Sequence, residues 1–140
     1  MTIGQLAREA GIRPSAIRYY ESLRLLPPPA RRSGRRDYTD GAIAHLAIVQ
    51  FALATGFTLR ETRQLVSGFS AGTTAGARWR ALAEVKLQEM ETLIAQAEAM
   101  KALLKDISGC RCETLVQCGR ALHRGRLKWA RIIRGQDSRE

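Results

Sequence analysis

Residues 77–108 contain no glycine and no proline, and within them Leu87, Met90, Leu93, Ala97, Met100, Leu104 and Ile107 recur in steps of three and four. That period places the apolar side chains along one stripe of a continuous helix, as in a coiled coil. A helix of about 32 residues is roughly 48 Å long. In a chain of 140 residues no other segment is long enough to cover such a stripe. A second copy of the chain is the economical cover, so these seven residues are expected to form a homodimer interface.

The charge is divided unevenly. The formal net charge is +10. Residues 1–40 hold eight arginines against four acidic residues, and residues 111–140 hold eight basic against three acidic. The middle is nearly balanced, with seven basic against six acidic. Two basic ends point to a polyanionic partner, and the basic residues of the first are all arginine, whose forked guanidinium suits phosphate and guanine. Arg8 and Glu9 interrupt any signal-peptide core, and the apolar stretch 42–57 carries His45 and Gln50 and falls short of a membrane span. A cytoplasmic, nucleoid-associated protein with no membrane partner is expected.

Local signals organise the first 68 residues. Thr2 with Gln5 is a capping box opening a short helix that Gly11 stops. Pro14 starts a second helix carrying Ser15, Ile17, Arg18, Tyr19 and Tyr20, and of the two tyrosines Tyr20 is expected to face inward. Two short helices joined by a tight turn outline a helix-turn-helix. Pro27, Pro28 and Pro29 forbid helix, and the arginine-rich run after them reads as a two-stranded wing turning at Ser33-Gly34. A strongly apolar helix follows over 41–54, and Thr58 with Glu61 opens another to about Ser67.

Ile3-Gly4-Gln5-Leu6-Ala7, Ile17-Arg18-Tyr19-Tyr20-Glu21, Leu25-Leu26-Pro27 and Gly56-Phe57-Thr58-Leu59 stand in an order and spacing that resembles the MerR family of bacterial transcription regulators. The resemblance covers roughly residues 1–108. It implies a mainly α fold, a winged helix-turn-helix DNA-binding domain followed by a long antiparallel coiled-coil dimerisation helix. The boundaries would be 1–68 for the DNA-binding domain with its linking helices, 69–76 for a linker, 77–108 for the dimerisation helix, and 109–140 for a cysteine-containing effector loop and basic tail. It also implies that Arg18, Tyr19, Arg36 and Tyr38 position the protein on the backbone of double-stranded promoter DNA, with Ser15 and Arg18 facing the major groove. Two positions depart from the family pattern. Arg35 stands where a tyrosine is common, so it joins the DNA face without the stacking role. Arg13 replaces the usual capping Ser or Thr and is expected to donate to DNA, at some cost to the cap.

Cys110, Cys112 and Cys118 follow the long helix, where this family places its inducer-sensing loop. Three cysteines so closely spaced read as a metal or redox site rather than a disulfide framework. The spacing of Cys110 and Cys118 resembles the copper-sensing branch, and the whole pattern resembles three of the four ligands of the iron–sulfur SoxR branch. Ile107 occupies the place of the fourth ligand, so a four-cysteine cluster is not available within one chain. The zinc- and mercury-sensing branches add a cysteine at the start of the partner's helix, where this chain has Thr74-Ala75-Gly76-Ala77. His123 is a possible fourth ligand for zinc. Clustered thiolates select soft ions, leaving copper(I), zinc and mercury open. Thiol redox chemistry favoured by Arg111 and Arg120, and plain packing, are the other readings of the three cysteines.

The stretch 119–135, with Arg120, Arg124, Arg126, Lys128, Arg131 and Arg134 beside Leu122, Leu127, Trp129, Ile132 and Ile133, reads as a basic amphipathic helix. Its apolar face is expected to dock on the protein, with contact to DNA or RNA polymerase as the other roles. The expected function is a dimeric regulator that distorts promoter DNA in response to a soft metal ion, with RNA polymerase as a further partner. Two alternatives stand beside it, a thiol-redox or iron–sulfur responsive regulator and a DNA-binding module that senses nothing. An enzyme is not expected, because neither His45 nor His123 belongs to a nucleophile–base arrangement.

Overall fold

In the computed structural model, which describes residues 1–126 and 129–131, capping chemistry sets most element boundaries. The Thr2 hydroxyl accepts from the Gln5 N–H and the Gln5 side chain accepts from the Thr2 N–H, opening α1 (Ile3–Ala10). Gly11, at φ 69°, closes it in the left-handed conformation that costs other residues about 1 kcal/mol or more. Gln50, 40 positions further along the chain, donates to the Ala10 carbonyl at 2.8 Å, satisfying another group at that end. α2 (Pro14–Ser22) starts on its proline, and Arg13 at the cap makes no side-chain hydrogen bond to it.

The wing is an antiparallel pair, β1 (Ala30–Arg32) with β2 (Arg35–Asp37). Ser33 at φ 54° and Gly34 at φ 77° form the turn between them, with both central residues left-handed as a tight hairpin requires. The helices α3 (Asp40–Ala54) and α4 (Leu59–Ser67) follow, the second opened by the Thr58–Glu61 capping box. α5 (Ala75–Ser108) begins two residues before the expected start. The Thr74 hydroxyl accepts from the Ala77 N–H at 3.1 Å, and this cap overrides the weak helix preference of Gly76.

Two compact units divide the chain, Met1–Lys86 and Leu87–Glu140, so the first unit includes the opening turns of α5 as well as residues 1–68. Its main core joins Leu6 and Ala7 of α1, Ile17 of α2, Leu25, Leu26, Tyr38, and Leu46 and Val49 of α3. A second cluster joins Ala52, Phe57 and Leu65, with Ile48, Trp79 and Leu82 packed against it. Trp79 meets Phe51 and Phe57 edge-on at 5.7 and 6.0 Å between ring centroids. Arg78 donates to the carbonyls of Leu65, Val66 and Thr73, capping the end of α4 with a side chain from α5. Lys86 is buried, and its ammonium lies 2.8 Å from a carboxylate oxygen of Glu61.

The second unit holds the rest of α5 and a helix α6 (Leu115–Arg124), capped by the Thr114 hydroxyl. α6 starts four residues before the expected tail helix and takes Cys118 and Gly119 into its run. The Trp129 indole N–H donates to the Leu122 carbonyl at 3.1 Å. Leu127, Lys128, Ile132, Ile133 and Arg134 of the expected tail helix lie outside the described residues.

Candidate functional site

In the first unit, one turn of helix and one hairpin gather the arginines. α2 turns Ile17 into the core and leaves Arg13, Ser15, Arg18 and Tyr19 exposed, while Tyr20 packs half-buried against the core. The strand register sets Arg31 opposite Arg36 and Arg32 opposite Arg35. Like charges directly opposite one another destabilise a strand pair, so the hairpin is at its most favourable when an anion lies against it. Arg31 also donates to the Gly34 carbonyl across the turn, at 3.2 Å.

Glu21, inside the motif but without an expected role, ties this wing to α2. Its carboxylate accepts from Arg36 Nε at 3.2 Å and from the Tyr38 hydroxyl. That uses one of the five N–H donors of Arg36 and leaves the guanidinium aimed by the bond. Tyr38 corrects the sequence expectation. It is 6% exposed and part of the main core, and burial together with its bond to Glu21 raises the phenol above its usual range. A hydroxyl so enclosed supports Arg36 rather than reaching a phosphate. The signal available in the sequence was the alternation of the strand that precedes it, which puts Arg36 and Tyr38 on the same face.

The cysteines of the second unit come together. The sulfurs of Cys110, Cys112 and Cys118 all lie within 4.8 Å of one another. Cys110 and Cys112 come from the turn after α5, and Cys118 from α6. The Cys112 N–H donates to the Cys110 sulfur at 3.4 Å. That backbone bond, followed by those of the neighbouring thiols, holds the Cys110 thiol below the usual range. Hydrogen bonding to Cys110 in turn pushes the Cys112 and Cys118 thiols up.

His123, the possible fourth ligand, does not join this group. Five residues beyond Cys118 on one helix, it lies about 140° around the axis. Along α5, Leu87, Leu104 and Ile107 are exposed, Met90, Leu93 and Met100 are half-buried, and Ala97 is exposed. Val85 and Ile94, which the expected stripe left out, are exposed as well. No helix among the described residues is long and apolar enough to cross a membrane.

Comparison with known proteins agrees with this architecture. The family described as MerR HTH family regulatory protein matches residues 1–68, and the one described as MerR, DNA binding matches residues 43–107. An uncharacterized HTH-type transcriptional regulator of Pseudomonas aeruginosa is 33% identical over 108 residues, covering 76% of this chain and 82% of its own. Heavy metal-dependent transcription regulator 2 of Rhizobium meliloti is 30% identical over 110 residues, covering 78% and 75%. Among solved structures, the transcription regulator PbrR691 of Ralstonia metallidurans in complex with lead(II) superposes with a TM-score of 0.69 at 28% identity, covering 81% of this chain and 91% of that one. With its winged helix-turn-helix, its long helix and relatives that are transcription regulators, the chain belongs to the MerR family of DNA-binding transcription regulators.

Proposed function

We propose that two copies of this chain form a regulator that binds promoter DNA and changes its shape when a soft metal ion occupies Cys110, Cys112 and Cys118. The observation that carries the reading is the convergence of three sulfurs directly after α5. Thiolates are the ligands that soft ions prefer, so the donor set fits such an ion. Support also comes from the heavy metal-dependent regulator of Rhizobium meliloti and from the lead(II) complex of PbrR691.

Arg13, Ser15, Arg18, Tyr19, Arg35 and Arg36 form the DNA face, with α2 in the major groove and the wing on the phosphates. Leu87, Met90, Leu93, Ala97, Met100, Leu104 and Ile107 pack against the partner's α5. The ion joins the end of α5 to the start of α6, and it biases the dimer between two arrangements to the extent that it binds one of them more tightly. The difference reaches RNA polymerase as a change in DNA twist and bend.

A promoter-reporter panel of metals and oxidants, repeated with Cys110→Ser, Cys112→Ser and Cys118→Ser, tests the sensing step. Loss of the metal response in each variant, with operator binding intact, is the expected result. A response untouched by all three changes overturns it. For the DNA face, Arg36→Ala is expected to weaken operator binding broadly and to lower the slope of log K against log salt by about one unit. An unchanged slope in a salt titration removes Arg36 from the phosphate contacts.

A further inference from the structure

Glu21 puts a negative charge into a face whose other charged side chains suit a polyanion. It stands three positions after Arg18 on α2, so the two side chains are neighbours on that helix. Arg36 comes to it from β2, with Nε 3.2 Å from one carboxylate oxygen, and the Tyr38 hydroxyl donates to the other. Arg18 and Arg36 both lie close enough to act on the charge of that hydroxyl. A carboxylate so placed repels every phosphate that approaches. A face that only had to hold DNA would do better with a neutral group there.

The bonds around Glu21 run as a chain from the core to the surface. Tyr38 is buried and its N–H donates to the Met1 carbonyl at 2.8 Å, so its hydroxyl is a fixed point. The hydroxyl holds one oxygen of Glu21, whose side chain is 12% exposed, and the other oxygen holds Arg36 through Nε. The terminal nitrogens of the guanidinium are left as a fork, the geometry that grips a phosphate. An arginine ordered in advance loses less freedom on binding. It also meets a phosphate at only one place relative to α2. With α2 seated on its sequence in the major groove, a phosphate fills that place. Out of register the fork misses and the carboxylate still repels.

We propose that Glu21 is a positioning residue for operator selectivity, locking Arg36 in register with α2 and disfavouring DNA on which that contact is not made. The inference rests on the DNA face proposed above. Its signature is a pair of opposite signs. Loss of the charge tightens binding to DNA of arbitrary sequence and weakens binding to the preferred one, so the specificity ratio falls from both sides.

The test uses the full-length chain and two duplexes of equal length, one recovered by the wild-type protein from a random-sequence pool and one of scrambled sequence. Affinities for both are read by fluorescence anisotropy at one fixed salt concentration. Glu21→Gln keeps the size of the side chain and loses its charge. It is expected to bind the selected duplex about tenfold more weakly, the scale of one charged hydrogen bond. The scrambled duplex should bind up to about fivefold more tightly, the scale of one exposed charge pair. Tyr38→Phe removes one bond to Glu21 and keeps the charge, so it should weaken the selected duplex without tightening the scrambled one. In the Arg36→Ala background Glu21→Gln should no longer weaken the selected duplex, because nothing is left to position. Tighter binding of both duplexes by Glu21→Gln shows a charge that only repels, and equal weakening of both shows a purely structural role; either overturns the proposal. Losses that simply add in the Glu21→Gln, Arg36→Ala double variant overturn it too. Selection of no sequence by the wild-type chain, or an Arg36→Ala variant unchanged on both duplexes, overturns the DNA face itself along with this inference. Urea midpoints check that each variant is folded, and the opposite signs expected for Glu21→Gln on the two duplexes cannot come from lost stability alone.

Discussion

Leu46→Ala is expected to cost the DNA-binding unit about 3–4 kcal/mol. Leu46 is 0% exposed and stands at the middle of α3, where the main core brings α1, α2 and the end of the wing together. Shortening it removes buried apolar atoms and leaves a cavity that helices tied by caps and by the Gln50–Ala10 bond cannot collapse to fill. Domains have only about 5–15 kcal/mol in hand, so a loss of this size takes much of the reserve. A urea titration read by far-ultraviolet circular dichroism checks it, with the midpoint falling and the slope unchanged. Operator affinity should fall as well, because Arg18 and Arg36 are aimed only while α2 and the wing are held on this core. A midpoint that moves by no more than for an exposed alanine substitution would show that the core is not organised around α3.

Local chemistry explains why so much of this fold is legible in the sequence. Both capping boxes, the Gly11 stop, the Pro14 start and the Ser33-Gly34 turn are set by residues within three or four positions of one another, and each stands where the pattern puts it. The cysteine triangle is nearly as local, spanning nine positions. What escaped is what the chain brings together from afar. Glu21 holds Arg36 and Tyr38 from 15 and 17 positions away, and Lys86 meets Glu61 across 25. A lone glutamate and a lone lysine look like surface residues until the packing is known. His123, a possible fourth ligand by sequence, is near Cys118 in the chain but not in space, because five helical residues turn it away from the three sulfurs. The start of α5 and the start of α6 both moved because a threonine, Thr74 or Thr114, caps more strongly than a following glycine or loop residue resists.

Glu61 should be the most sensitive polar position, because one carboxylate does two jobs. Its Oε1 accepts from the Thr58 N–H at 2.8 Å, completing the cap of α4, and from Lys86 Nζ at 2.8 Å. Lys86 is 7% exposed, with its ammonium 5.3 Å from the centre of the Phe57 ring. Removing the carboxylate strips a buried cation of this partner, which costs far more than the pair contributes while intact. Glu61→Ala is expected to lose about 3–4 kcal/mol, the cap accounting for about 1 of it. Glu61→Gln keeps a capping group at that position and so should cost less. Lys86→Met should cost least, because an apolar side chain of similar length suits the Phe57 and Leu65 cluster and the carboxylate left behind is partly solvated. The order also has a pH signature. Burial acts to raise the Glu61 pKa, but the bonds from Lys86 and Thr58 outweigh it and hold the carboxyl below its ordinary 4.5. A carboxyl depressed on folding stabilises the protein fully above its unfolded value and loses that contribution as the pH drops through the folded one. The stability gap between wild type and Glu61→Gln should therefore be constant near neutrality and close on acidification below about pH 4.5. Urea midpoints for the three variants between pH 3 and 7 decide it; a gap that stays the same over that whole range would remove the ion pair as its cause, and with it the bolt between α4 and α5.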